Sequence, residues 1–181
     1  MELALTQQEA DKLILLLKTF LKDHSINLKD GDNLKLDIKS TSKKRKFKLF
    51  IHYEYSNYHL NFMDVSTKIN LIRINLNNSF HKNADGQIIR GDRVNLFCEE
   101  EFNQRQDGQY MRAYSLPYKN IIKDPKTFPE ALDEMLNYIK KSYSFINCNI
   151  DIRADIIVRK EQTIATLSAK ESVQHATNVM T

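Results

Sequence analysis

Residues 77–93, Asn77-Asn78-Ser79-Phe80-His81-Lys82-Asn83-Ala84-Asp85-Gly86-Gln87-Ile88-Ile89-Arg90-Gly91-Asp92-Arg93, hold the densest run of groups able to do chemistry. His81 carries an imidazole whose ordinary pKa of about 6.5 suits proton transfer near neutral pH, and Asp85 could orient it. Arg73, just upstream, would complete a catalytic set of His81, Asp85 and Arg73, while Arg90 and Arg93 offer planar guanidinium groups to phosphate. Asp85-Gly86 and Gly91-Asp92 are turn signals, so the segment reads as a connection between two central strands. A plainer reading stands beside the catalytic one: Asn83 and Asp85 close an Asx turn around Gly86, and many polar hairpin loops hold no site.

A second constellation lies on a hairpin. Phe47, Leu49, Ile51, Tyr53 and Tyr55 alternate with polar residues, and Leu60 and Phe62 resume the pattern after the turn signal Ser56-Asn57. Pairing Tyr55 with Tyr58 sets Glu54 opposite His59 and His52 opposite Asn61 on one polar face, with Tyr53–Leu60 and Ile51–Phe62 on the other. His52, Glu54 and His59, with Arg73 from a neighbouring strand, resemble the acid/base-plus-cation set that metal-free ribonucleases need to activate a 2′-hydroxyl and stabilise a pentacoordinate phosphorane. Histidines on a polar sheet face are, however, more often ordinary surface residues. Tyr53, Tyr55 and Tyr58 could stack on unpaired bases, although this register turns them toward the core.

Lys43, Lys44, Arg45, Lys46 and Lys48 form one basic cluster in a chain of net charge +4 and pI near 8.9. It is either a phosphate-contacting patch, with Lys43, Lys44, Arg45 and Lys46 at its centre, or a solvated turn that blocks edge-to-edge aggregation. Arg73 interrupts an otherwise apolar strand and needs an anionic partner, which would be a structural ion pair or a ligand. There is no His-x-His pair, two-cysteine knuckle or helical metal pair, so the expectation is no metal site and no cofactor. A phosphate-binding glycine loop, a Gly-x-Ser-x-Gly elbow and a Cys-His dyad are likewise missing from the sequence.

The elements that must carry these groups are legible from periodicity. Thr6-Gln7-Gln8-Glu9 is a capping box opening an amphipathic helix that should run to about His24. Strands are predicted at 34–38, 47–55, 60–62, 69–76, 94–98 and 110–116, with the polar segment 99–109 as a connection. Thr127-Phe128-Pro129-Glu130 caps a second helix expected to reach about Ser144, and Ile150 to Val158 could add a last strand. The fold class is therefore α+β: a single antiparallel meander of about five to seven strands, packed by an N-terminal and a C-terminal helix. At 181 residues and 41% apolar content, residues 1–159 should form one domain and 160–181 a frayed helix or disordered tail. Cys98 and Cys148 are expected to be reduced, and the absence of a long apolar run or signal-peptide pattern points to the bacterial cytoplasm rather than a membrane.

Arg73-Ile74-Asn75, His81-Lys82-Asn83-Ala84-Asp85-Gly86 and Ala113-Tyr114-Ser115-Leu116-Pro117, with Leu5-Thr6-Gln7-Gln8-Glu9-Ala10-Asp11 before them, resemble a family of small uncharacterised bacterial and prophage proteins with a His-x-Asn-x-Asp-Gly loop. Where those relatives carry His-x-His-x-Tyr, this chain reads Arg93-Val94-Asn95-Leu96-Phe97, which suits phosphate contact better than a histidine-based centre. In size, mild basicity and Lys/Asn/Ile-rich usage it is similar in kind to phage anti-CRISPR proteins. That likeness implies an inhibitor acting on RNA or a ribonucleoprotein, such as a type II effector whose guide RNA it binds or truncates as a metal-independent endoribonuclease. The alternatives are a non-catalytic protein that blocks a nucleic-acid-binding partner, and a toxin–antitoxin component.

Overall fold

The computed structural model describes residues 3–21, 28–41 and 44–139. The expected strand at 150–158, the 160–181 tail, Cys148, His24 and Lys43 lie outside the described residues. Helix α1 spans Gln7–Leu15, followed by β1 (Lys18–Phe20), β2 (Asp32–Ser40), β3 (Lys46–Glu54), β4 (Asn57–Asp64) and β5 (Asn70–Leu76). A short hairpin of β6 (Phe80–Lys82) and β7 (Ile88–Arg90) precedes β8 (Arg93–Phe97), α2 (Glu99–Arg105), β9 (Met111–Ser115) and α3 (Phe128–Tyr138). Seven strands form one antiparallel sheet in the order β1-β2-β3-β4-β5-β8-β9, with β6–β7 as a separate two-stranded sheet. The α+β meander read from the sequence is the fold.

Strict alternation produces a two-faced sheet. Leu36 and Ile38, then Phe47, Leu49 and Ile51, then Leu60 and Phe62, then Ile72 and Ile74, are each 2% exposed or less on one face. Phe128, Ala131, Leu132 and Met135 of α3 complete that core, and the Phe128 ring meets Tyr53 edge-on at 5.4 Å. Burying a side chain of this size contributes roughly 1.5–3 kcal/mol, so this face fixes the register of the meander.

Three local expectations change. The first helix stops at Leu15, because residues 18–20 extend the sheet instead: Lys18, Thr19 and Phe20 pair with Ser40, Lys39 and Ile38. Lys18 is fully buried there and donates to Ile14 O at 2.8 Å, Leu16 O at 2.7 Å and Ile139 O at 2.8 Å, its ammonium 5.2 Å from the Phe47 ring centroid. Those carbonyls sit at the ends of α1 and α3, where backbone acceptors lack helical donors. The 99–109 segment is not a plain connection. Glu99, Glu100 and Glu101 occupy the first turn of α2, where carboxylates oppose the helix dipole. The β3–β4 hairpin also turns one residue early, which slips the pairing by two: Tyr55 and Ser56 are the loop, Ser56 has φ +59°, and Tyr53 pairs with Tyr58. A slip of two keeps every side chain on its face, so the polar face survives, but His52 now stands opposite His59.

Candidate nucleic-acid interface

The face of the sheet away from α3 is organised in cross-strand rows. One row runs Lys35, Phe50, Asn61, Arg73, Asn95 and Ala113, and the next Asn33, His52, His59, Asn75, Arg93 and Ser115. Toward the β1 edge come Asp37 opposite Lys48 and Lys39 opposite Lys46. Like charges placed directly across strands destabilise a pair, so the Lys39–Lys46 juxtaposition favours an anionic partner. Lys39, Lys44, Arg45 and Lys46, with Thr19, Ser40 and Thr41, line a groove at this edge.

Over β8 and β9 this face is closed. Residues 77–93 fold back as the β6–β7 hairpin, whose turn combines Gly86 at φ +86° with Gln87 N donating to Asp85 Oδ1 at 2.9 Å. Asn83 is 1% exposed and mimics a neighbouring strand: its Oδ1 accepts from Ala113 N at 2.9 Å and its Nδ2 donates to Ala113 O at 3.0 Å. Glu101, also 1% exposed, accepts from Ala84 N at 2.9 and 2.7 Å, and Arg105 donates to Lys82 O at 2.6 Å. The connection is therefore held rigidly, as a site would require.

What it holds differs from the sequence expectation. His81 pairs with Ile89 on the inner side of the hairpin, half-buried, with its Nε2 fully enclosed and unpartnered among the described residues. Burial, reinforced by the Arg105 charge, holds its pKa below the ordinary histidine value. Asp85 is exposed and paired with Arg112, which lowers its pKa, so it does not orient His81. Arg93 is 6% exposed and spends its guanidinium on Asn77 Oδ1 (2.9 Å), Ser79 O (3.1 Å), Gly91 O (2.8 Å) and Ser79 Oγ (2.8 Å), clamping the start of the connection. Arg90 lies on the outer side, exposed, 5.3 Å from the Phe80 ring centroid. In the basic run, Arg45 makes a two-point ion pair with fully buried Asp64 at 2.6 and 2.8 Å, whereas Lys44 and Lys46 are exposed. The basic run and the hairpin are not one site: four strand spacings separate β3 from β9, roughly 19 Å.

The open part of the face, over β2 to β5, is where groups converge. Arg73 is half-buried and has no hydrogen bond or ion pair among the described residues. Its register neighbour Asn61 donates to Asn70 Oδ1 at 2.7 Å, while the Asn61 Oδ1 is buried and unpartnered among the described residues. Unsatisfied buried polar atoms are rare in folded proteins and ask for an explanation. Arg73, adjacent in register, is the cation of this row and has no acceptor among the described residues. His59 sits in the next row, its pKa lowered by burial and by the charges of Arg73 and Arg93. Phe50 stands in the Arg73 row, half-exposed, with the Lys35 ammonium 5.7 Å from its centroid. Cations around half-exposed aromatic rings on an antiparallel sheet are the features single-stranded nucleic acids use.

Sequence reasoning missed Phe50, Lys35 and Lys39 as parts of this surface, and Glu101, Arg105 and Arg112 as anchors of the hairpin. Phe50, at the polar parity of β3, was the available signal for the first group. Among the described residues no cluster of three or more His, Cys, Asp or Glu side chains could hold a metal ion.

A family of unknown function (DUF6978) matches residues 5–140, a span running from just before α1 to just beyond α3. The chain belongs to that family. No curated protein and no solved structure matches the chain. No helix among the described residues of this family member is long and apolar enough to cross a membrane.

Proposed function

We propose that this protein is a mobile-element inhibitor that binds single-stranded RNA, free or within a ribonucleoprotein, on the open polar face of its sheet. One observation carries the reading: Arg73, a half-buried residue in the middle of that face, has no acceptor for its guanidinium among the described residues. A guanidinium with no carboxylate paired to it is open to an anion, and its fork matches two phosphate oxygens. Phe50 and the two imidazoles give bases a surface to stack on. The Lys39–Lys46 edge extends the cationic track roughly 13 Å along the strands from the Phe50 row. Similarity in kind to anti-CRISPR proteins makes a type II effector with its guide RNA the first target to try.

The test is fluorescence anisotropy with labelled single-stranded and duplex RNA, and with guide RNA alone and effector-bound. Single strands should bind more tightly than duplex, and the double change Lys39→Glu/Lys46→Glu should weaken binding at least tenfold. Lys119→Glu, beside Tyr118 in the connection before α3, should leave it unchanged. Equal loss in both variants, or no binding to any RNA, would refute the reading.

A further inference from the structure

Two imidazoles face each other on the proposed RNA surface, and their surroundings set their hydrogen positions. The His52 and His59 ring centroids are 5.4 Å apart. Asn75 is 3% exposed and donates through Nδ2 to Asn95 Oδ1 at 2.9 Å, which turns its Oδ1 toward His59 Nδ1 at 2.7 Å. An amide oxygen only accepts, so His59 Nδ1 carries a hydrogen and the lone pair of the neutral ring lies on Nε2. Asn33 repeats the device for His52: its Nδ2 donates to Gly31 O at 3.3 Å and its Oδ1 meets His52 Nδ1 at 2.9 Å. The environments then diverge. His59 is faced by Arg73 from β5, Arg93 from β8 and His52 from β3, whereas His52 Nε2 lies 3.6 Å from the Glu54 carboxylate. Cationic groups act on the ring of His59 and a carboxylate stands beside that of His52, so the two imidazoles are chemically distinct.

We propose that His59 and His52 cleave RNA bound on this face by metal-independent transesterification, an inference that rests on the RNA-binding reading above. His59 Nε2 takes the proton of a 2′-hydroxyl, and the 2′-oxygen forms a bond to the adjacent phosphorus. The bond from phosphorus to the 5′-oxygen breaks, and that oxygen leaves with the proton of the His52 imidazolium. The products are a 2′,3′-cyclic phosphate and a 5′-hydroxyl. Nothing is oxidised or reduced, no water is consumed, and the two rings return to their starting forms by proton exchange with solvent. Arg73, one row from His59, is the cation for the equatorial phosphate oxygens. Asn75 acts through His59 and is a positioning residue.

The experiment incubates the full chain in excess over 5′-labelled single-stranded RNA in chelator, with a denaturing gel for cleavage, mass spectrometry for the ends and anisotropy for binding. The expected result is cleavage in chelator with 2′,3′-cyclic phosphate ends, and an all-2′-deoxy oligonucleotide that binds but stays whole. His59→Asn should lower the single-turnover rate at saturating protein roughly 100- to 10,000-fold, the usual worth of a general base. His52→Asn should do the same independently. Asn75→Asp should shift the acidic limb of the pH–rate profile upward, which a merely structural residue would not do. RNA that binds yet stays intact in every condition overturns the catalytic proposal and leaves the binding reading standing. RNA that does not bind overturns both. Cleavage undiminished in both histidine variants, folded by thermal melt, overturns the assignment of the pair.

Discussion

Replacing Arg73 by Met separates the two roles an interior arginine can have. A methionine covers similar strand surface with its unbranched chain but carries no charge to desolvate. Arg73 has no partner among the described residues, so the substitution breaks no bond in the fold, and it removes the charge from a half-buried position. Stability should stay level or rise by up to about 1 kcal/mol, since partly buried polar groups without partners are costly. RNA binding should move the other way. A hydrogen bond to a charged group is worth about 1.5–3 kcal/mol, so affinity should fall roughly 10- to 150-fold. The open face carries Lys35, Lys39, Lys46, Lys48 and Arg73, of which, among the described residues, only Lys48 has a carboxylate within 4.0 Å, Asp37. If all five neutralise phosphates, log K should fall with log salt at a slope of roughly −3.5, and Arg73→Met should reduce that by about 0.7. Urea denaturation and anisotropy titrations from 50 to 300 mM salt, roughly the range in which such slopes are read, measure both quantities. Arg73→Met with unchanged affinity and slope but more than about 2 kcal/mol lost stability would show an arginine that serves the fold.

His81→Ala should leave RNA affinity within about twofold, because the imidazole lies under the hairpin rather than on the open face; a tenfold loss in anisotropy would return the site to the 77–93 connection. Lowering the pH below about 6.5 should destabilise the fold: His59 and His81 both have depressed pKa values, so the unfolded chain takes up their protons first and stability is lost as pH falls through the unfolded value. Urea midpoints between pH 5 and 8 check this, and a flat profile would contradict it. Lys18→Met should cost about 2 kcal/mol by chemical denaturation, since three carbonyls lose their donor; a variant as stable as the parent would show that desolvating the ammonium cancels its bonds. Glu101→Gln should speed amide exchange at Ala84, whose N–H the carboxylate holds, while leaving the core strands protected.

Periodicity made the sheet and its two faces readable, because alternation at Leu49, Ile51 and Leu60 is dictated by burial and survives a register error of two. Length and pairing of the elements were less readable. Residues 18–20 have a helical pattern but join β2, since an unpaired sheet edge and two helix ends needing a donor outweigh propensity. The site shifted for a similar reason. Sequence density drew attention to His81, Asp85 and Arg93, yet polar residues in a connection are first needed to satisfy its own structure: Asn83 and Asp85 hold the hairpin to β9, and Arg93 clamps its start. Arg73 was legible as an anomaly from the start. What could not be read was that its strand neighbours are asparagines and not carboxylates in space, which leaves the charge without a counter-ion among the described residues.

The buried Lys18 ties the two ends of the described chain together, with Ile139, its third acceptor, 121 residues downstream. During synthesis the first helix and edge strand emerge long before that carbonyl exists. A nascent chain therefore cannot seat this ammonium until α3 has left the ribosome, so the N-terminal segment should stay open to chaperones and proteases until translation has passed residue 139. Any truncation that stops short of α3 would strand a cation against Phe47 and Phe62, and such fragments should be cleared rather than accumulate half-folded.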